Sequence, residues 1–314
     1  MTQLSVSQAR VIDPILSTVA QGYKNADAVG YYLFPYVPVG QRGGKIITFG
    51  KEDFALYNTV RAPGTATKRV QYGYSGASYA LESHALEALV PNELAEEAAS
   101  VPGINLASTA VMKTQNVISL RLEYLQAQMA TTAATYAATN KVTLAGTSQW
   151  SDLTSGVSDP VKDIGAAKEA VRKQTGRRPN TVVMGPAVFE MLKMHPKVID
   201  RIKYTGRDVP TEELLASLFG VRQVKVGDMV YTDAAGVVQD VWGKYVVVAY
   251  TEMSSLAEAG SPTYGYTYRL NGYPVVRQPY EDKNTNSWIY PVADEVMPVI
   301  AGASAGYLIS AAVA

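Results

Sequence analysis

The chain has 314 residues, 47% of them hydrophobic, and its 28 basic and 28 acidic side chains give a formal net charge of zero. This composition supports a buried core and excludes global disorder. The net charge of zero removes the strong electrostatic case for a nucleic-acid binder and lowers a common barrier to self-association. Without cysteine there are no disulfides or thiolate metal sites, and no apolar run predicts a membrane span.

The first 30 residues predict an arm rather than a domain. A short helix is expected at Asp13–Tyr23, where Asp13 caps the helix and Pro14 occupies its first position. Too few apolar residues surround this helix to form a core. An aromatic segment broken by prolines, YYLFPYVPVG, follows at 31–40.

Residues 31–90 predict a long hairpin with flanking strands. After a strand at Lys45–Phe49, two polar strands, Phe54–Arg61 and Thr67–Tyr74, flank a turn that contains Pro63-Gly64. A polar two-stranded hairpin is only marginally stable alone. The pattern is compatible with an ordinary surface hairpin, and more specifically predicts a hairpin that docks on a neighbouring subunit.

Two helices are predicted next, a short acidic one at Pro91–Ala99, with Pro91 at its first position, and a long one at Leu106–Ala138. The long helix would span about 45 Å, with Ser108 or Thr109 as its N-cap. Its apolar stripe is formed by Val111, Ile118, Leu122, Leu125 and Met129, and a flanking stripe by Val117, Leu120 and Tyr124.

Residues 159–254 change to alternating helices and strands, which predicts an α/β unit of about a hundred residues. We expect Thr211 to cap one helix, and Gly176 and Gly220 to end two of them. The predicted helices are Asp163–Thr175, Pro186–Met194 and Thr211–Phe219, and the predicted strands are Thr181–Met184, Val221–Tyr231 and Lys244–Tyr250.

The last fifty residues are predicted to be nearly all strand. A polar tip, Asp282–Asn286, joins two strands, and further strands are expected at Trp288–Val292, Glu295–Ile300 and Gly306–Ser310. Because this tail follows the α/β unit, we expect it to pair with strands near the long helix. Residues 91–158 and 255–314 would then form one discontinuous domain.

This order of elements resembles the major capsid proteins of tailed bacteriophages, which share the fold first described for phage Hong Kong ninety-seven. Three stretches carry the resemblance: Pro91–Ala99 leading into the long helix, DIGAAKEAVRKQTGRRPNTVVMGPAVFEMLKMHPKVIDRIKY at Asp163–Tyr204, and YRLNGYPVVRQP at Tyr268–Pro279. The resemblance covers nearly the whole chain. It rests on the order of the secondary-structure elements and on their residue patterns, and not on catalytic signatures.

The resemblance implies an α+β fold with an N-terminal arm at 1–30 and an extended hairpin loop with flanking strands at 31–90. It further implies a peripheral domain of long helix and β-tail at 91–158 plus 255–314, and an axial domain at 159–254. It implies a structural protein whose pentamers and hexamers build an icosahedral shell around double-stranded DNA. The protein would be assembled in the host cytoplasm and become part of the virion.

The resemblance also implies partners but no cofactor, metal or membrane. Besides other copies of the chain, they are a portal protein, packaged DNA bound non-specifically and, in some members, a decoration protein. Because the hairpin begins near residue 45 after Met1, we expect the scaffolding protein to be a separate chain. The intersubunit contact between hairpin loop and β-tip would involve Arg61, Pro63, Gly64, Lys68, Arg69, Lys283 and Asn284.

Two alternatives remain at the level of sequence. An encapsulin nanocompartment shares the fold, although encapsulins usually start with an inward-facing helix and have a shorter loop. A hydrolase would use the G-x-S-x-G at 302–306, but neither a histidine nor an acid follows Ser304. We therefore predict no enzyme activity, and interpret the motif as small residues in a bent strand.

The remaining candidate residues indicate structural roles. His84 and His195 lack metal-ligand spacing, and His195 closes a helix, where a cation is favourable. A Lys–Asn crosslink, known in some members, would need Lys51 or Lys68 with Asn284 or Asn286, and we do not expect it. The densest basic patch, formed by Arg172, Lys173, Arg177 and Arg178, is interpreted as a solvated helix end.

Overall fold

A computed structural model describes residues 28–48, 75–99, 105–203, 210–252 and 263–314, together with Leu56 and Val60. The helix predicted at Asp13–Tyr23 and the hairpin strands predicted at 54–61 and 67–74 lie outside these residues, apart from Leu56 and Val60. The described residues contain two main sheets, helices between and beside them, and two small hairpins.

The elements are numbered in chain order. The α-helices are α1 (Asn92–Ala99), α2 (Leu106–Thr131), α3 (Pro160–Thr175), α4 (Pro186–Met194), α5 (Pro196–Ile202) and α6 (Glu212–Phe219). The strands are β1 (Tyr36–Val39), β2 (Gly43–Thr48), β3 (Ser75–Ala80), β4 (Glu82–Pro91), β5 (Lys141–Thr143), β6 (Thr181–Met184), β7 (Gln223–Val226), β8 (Val230–Thr232), β9 (Val238–Asp240), β10 (Val246–Ala249), β11 (Gly265–Leu270), β12 (Val275–Val276), β13 (Tyr280–Asp282), β14 (Ser287–Ile300) and β15 (Gly306–Ser310).

The long helix is confirmed as α2, but it ends at Thr131, seven residues before the predicted end. Thr132 is extended, and a 3-10 turn follows at Ala133–Thr135. The predicted caps were wrong: Asn105 is the N-cap, and its Oδ1 accepts a hydrogen bond from the Ser108 amide at 3.0 Å. Pro91 likewise belongs to β4 rather than to the first turn of α1.

The apolar stripe of α2 faces the first sheet, although not every predicted member is buried. Val111, Ile118 and Leu122 are buried, whereas Leu125 and Met129 are half-buried. In the flanking stripe Leu120 and Tyr124 are half-buried, but Val117 is 54% exposed, so its assignment was wrong.

Leu122 and Val117 therefore make a matched pair for testing the helix face. Leu122→Ala is expected to lower the free energy of unfolding by about 2–5 kcal/mol, because it removes buried methyl groups and leaves a cavity. Val117→Ala, on the exposed face of the same helix, should change it by less than about 0.5 kcal/mol. Urea unfolding of both variants measures the difference, and equal midpoints would show that our assignment of the helix face is wrong.

The first sheet is built around β14. Strand β4 pairs with one edge of β14, while β11, β12 and β13 pair successively with its other edge, and β1 adds a parallel strand beyond β11. The sequence predicted two strands here, but β14 is continuous, because Asp294 stays in the ladder opposite His84. Helix α2 covers this sheet by packing against Val276 and Val292.

The second sheet has the order β5-β15-β10-β6-β7 and forms the core of the α/β unit. Strands β6 and β10 are buried along their whole length. Helices α3, α4 and α6 pack on one face of this sheet, and the end of α2 packs on the other. Gly176 and Gly220 end α3 and α6, as predicted, because both adopt the left-handed conformation, with φ values of 67° and 60°.

One pairing was not predicted. The tail was expected to pair with strands near the long helix, which holds for β11–β14 and for the pairing of β15 with β5, but β15 also pairs with β10 of the α/β unit. The division of the chain into the domains 91–158 plus 255–314 and 159–254 stays a prediction. The sequence also missed β1, α5 and the small hairpin of β8 and β9, and the predicted strand Val221–Tyr231 is divided between β7 and β8.

Candidate assembly surfaces

A buried carboxylate joins three separate parts of the chain. Glu123 of α2 is 2% exposed. Its Oε1 accepts hydrogen bonds from the amides of Val29 and Gly30, at 3.0 and 2.9 Å, and from the Trp242 indole at 2.7 Å. Burial raises the pKa of Glu123, and these three donors act in the opposite direction. We call this arrangement the Glu123 junction.

The local sequence makes this junction possible. A Cβ at Gly30 would lie 2.1 Å from the side-chain oxygen of Gln126, so only glycine fits there. The Gln126 amide donates to Thr267 of β11 at 2.8 Å, and the Thr267 hydroxyl donates to the Phe34 carbonyl at 3.0 Å. The chain that leaves the predicted arm is thereby fixed to α2 and to the first sheet.

The root of the predicted extended loop is attached to the first sheet. Strands β2 and β3 pair across the root, and the Arg42 guanidinium binds Glu295 of β14 through two hydrogen bonds of 2.6 and 2.8 Å. This partner lowers the pKa of the Glu295 carboxyl. Tyr79 stacks on Tyr268 with a ring-centre separation of 4.3 Å. The sheet thus determines where the loop leaves the subunit.

The predicted polar tip is a real turn between β13 and β14. Lys283 and Asn284 are exposed on it, and Asp282 orders it by accepting from the Asn284 amide at 2.9 Å. Asn286 donates to Glu93 of α1 at 2.7 Å and accepts from the Asn92 amide group. Glu93, in the first turn of α1, therefore helps to hold the tip.

The predicted intersubunit contact is not tested by the described residues. Arg61, Pro63, Gly64, Lys68 and Arg69 lie outside the described residues, so their contact with Lys283 and Asn284 stays a prediction. The same holds for a crosslink, because Lys51 and Lys68 are also outside.

The G-x-S-x-G motif has the wrong surroundings for a nucleophile elbow. Ser304 lies in a 3-10 turn, Ala303–Ala305, and the chain continues directly into β15. A nucleophile elbow instead leads from a strand into a helix. Within the described residues there is no cluster of three or more His, Cys, Asp or Glu that could hold a metal ion. No helix within them is long and apolar enough to cross a bilayer.

His195 is not the cationic helix end that we expected. It is 2% exposed, its Nδ1 accepts from the Lys197 amide at 3.2 Å, and its Nε2 lies 3.1 Å from the Ser158 hydroxyl. Burial is the main reason why the pKa of His195 is lowered, and the nearby positive charge of Lys197 lowers it further. The neutral ring therefore caps α5 and holds the connector before α3.

This arrangement predicts a loss of stability on mild acidification. As pH falls through 6.5, the ordinary value for histidine, the unfolded chain binds a proton that the folded chain still excludes. The free energy of unfolding should then fall by up to about 1.4 kcal/mol per pH unit relative to a chain without this group. Urea unfolding of the wild type and His195→Asn between roughly pH 5.5 and 7.5 measures the difference, and parallel pH profiles would contradict the prediction.

Comparisons with known proteins agree with this architecture. Residues 124–305, more than half of the chain, match the model of the family described as phage major capsid protein E. The major capsid protein of Burkholderia phage BcepMu is 38% identical over 309 residues, which cover 97% of this chain and 98% of that protein.

Solved structures show the same likeness. A phage-related protein from Bordetella bronchiseptica RB50 is 44% identical, with a TM-score of 0.80 over 97% of this chain and 98% of its own. The capsid structure of cyanophage P-SCSP1u, at 9% identity, has a TM-score of 0.59 over 92% of this chain and 89% of its own, and so shares the fold. The predicted α+β phage-capsid fold is confirmed, and the chain belongs to the family of phage major capsid protein E.

Proposed function

We propose that this protein builds a closed icosahedral shell around double-stranded DNA through contacts between its own copies, and that it catalyses no reaction. Full-length similarity to a phage major capsid protein carries the proposal. The encapsulin alternative is less supported, because the named relative is a phage capsid protein. The hydrolase alternative lacks the helix that should follow Ser304.

Membership of the family supports a proposal about the partners. We propose copies of this chain in pentamers and hexamers, a separate scaffolding protein, a portal protein, and a decoration protein as a further possible partner. Assembly is proposed to take place in the host cytoplasm, with the finished shell as part of the virion.

The extended loop is proposed to make the main contact between subunits. Its root is fixed by Arg42 and Tyr79, and the two described positions beyond the root, Leu56 and Val60, are 102% and 82% exposed. An exposed apolar side chain such as that of Leu56 is stabilised by burial against a neighbouring copy. The proposed contact joins Arg61, Pro63, Gly64, Lys68 and Arg69 to Lys283 and Asn284 of the neighbouring copy's tip.

Negative-stain microscopy of the chain, expressed alone and with the proteins of its own phage, tests the function. Closed shells are expected, and nucleic acid extracted from shells made during infection should be phage DNA. Shells that contain an enzyme instead would favour a nanocompartment. A protein that stays monomeric under every condition would contradict the proposal.

The wall of the shell is expected to bind DNA weakly. The chain has no net charge, and a sequence-specific reader would need a basic surface fitted to a groove. A gel-shift titration of the unassembled subunit at physiological salt should show feeble binding without sequence preference. This binding should disappear as the salt concentration rises. Tight binding to one sequence over another would argue for a DNA-binding regulator instead.

A further inference from the structure

The second sheet carries an acidic hairpin at one end and a basic cleft at the other. Strands β6 and β7 run parallel, so the segments before them lie at one end of the sheet and the segments after them at the other. The basic residues at 172–178 precede β6, whereas the β8–β9 hairpin follows β7. Strands of four residues separate the two ends by about 13 Å.

The hairpin end is acidic and presents apolar side chains. Residues 226–243 contain three aspartates and no lysine or arginine. Val230, Val237 and Val238 are 47%, 52% and 62% exposed. Asp233 preorganises the turn, because its Oδ1 accepts from the amides of Ala235 and Val237, both at 2.9 Å. A rigid hairpin loses little conformational entropy on binding.

The opposite end holds a basic cleft of about 210 Å³, lined by Gly165, Lys168, Glu169 and Arg178. The Glu169 carboxylate binds Arg172 at 2.5 Å, and the Lys168 ammonium donates to the carbonyls of Phe219 and Gly220. Arg178 is exposed. Burial and the nearby Arg178 charge lower the pKa of Lys168, as expected where positive charge is incompletely balanced.

We propose that the acidic β8–β9 hairpin of one copy docks on the basic cleft of the next copy, with Asp240 facing Arg178. The hairpin and the cleft lie at opposite ends of one sheet, so the contact between copies is head to tail. Head-to-tail contacts generate rings when the rotation between copies closes. The exposed valines would pack on the methylene stems of the basic side chains. The inference rests on the proposed shell function, and it names a contact that the extended loop does not make.

Charge reversal tests the contact in the full-length chain. Arg178→Glu and Asp240→Lys are each expected to slow shell assembly at least about tenfold, because each places like charges across the interface. The double variant should return to within about twofold of the wild type. Mixing the two single variants should pair the reversed hairpin of one with the reversed cleft of the other, and recover part of the rate. Lys162→Glu, an exposed reversal at the opposite end of α3, is the matched control.

Assembly is followed by sedimentation and negative stain, and thermal unfolding identifies any variant that fails to fold. Rescue by the double variant supports the contact. Normal assembly of both single variants, or impairment without rescue in folded variants, would overturn it. Impairment seen only when a scaffolding protein is present would overturn it in favour of a scaffold site. Shells from the wild type keep the proposed function standing in each of these cases, whereas their absence would contradict that function itself.

Discussion

Deletion of Asp53–Arg69 is expected to leave a folded subunit that no longer closes into shells. The pairing of β2 with β3 and the Arg42–Glu295 pair lie outside the deleted stretch. The root of the loop should therefore persist when a short Gly-Ser turn replaces residues 53–69. Leu56, within the stretch, is fully exposed in the single subunit. Its removal costs no core contact, whereas a contact with a neighbour would be lost.

Urea unfolding and negative-stain microscopy separate these two effects. The unfolding midpoint should stay close to that of the wild type, and closed particles should disappear. A matched variant that keeps the loop but changes Lys68 and Arg69 to alanine should still assemble, although more slowly, if charge only guides the encounter. Normal shells from the deletion would show that the loop does not drive assembly.

Glu123→Ala should be among the most destabilising single substitutions in this chain. It leaves the amides of Val29 and Gly30 and the Trp242 indole without their buried acceptor. At about 1–3 kcal/mol for each orphaned donor, the loss is about 3–9 kcal/mol, a large fraction of the 5–15 kcal/mol typical of a folded domain. We expect little folded protein at 37 °C.

Two conservative variants distinguish the junction from simple packing. Glu123→Gln keeps one acceptor oxygen and should lose less than the alanine variant, while Trp242→Phe removes one donor and keeps most of the ring. The two should be non-additive when combined, because they act on the same hydrogen bond. If the double variant shows the plain sum of the single losses in urea unfolding, the indole and the carboxylate are not coupled and the junction is wrong.

The sequence by itself determined α3, α4 and α6 of the α/β unit and the residues at which they end, but not α5. Thr211 accepts from the Leu214 amide, and Gly176 and Gly220 adopt the left-handed conformation, as predicted. These signals are local, since a cap and its partner lie within a few residues and each acts before the chain is folded. The exposed tip with Lys283 and Asn284 could also be predicted from the sequence, because turn residues separate two strand patterns.

Only the tertiary structure decided the partners that lie far apart in the chain. The hydrogen-bond donors to Glu123 lie 93 to 119 residues away from it in the chain. The placement of β15 beside β10 in the second sheet depends on packing against both helical layers, which no local pattern encodes. From the sequence, His195 was interpreted as a favourable cation at a helix end. In the structure its burial beside Ser158 favours the neutral ring. In each case the deciding term is desolvation, which is a property of the assembled core and not of the residue's neighbours in sequence.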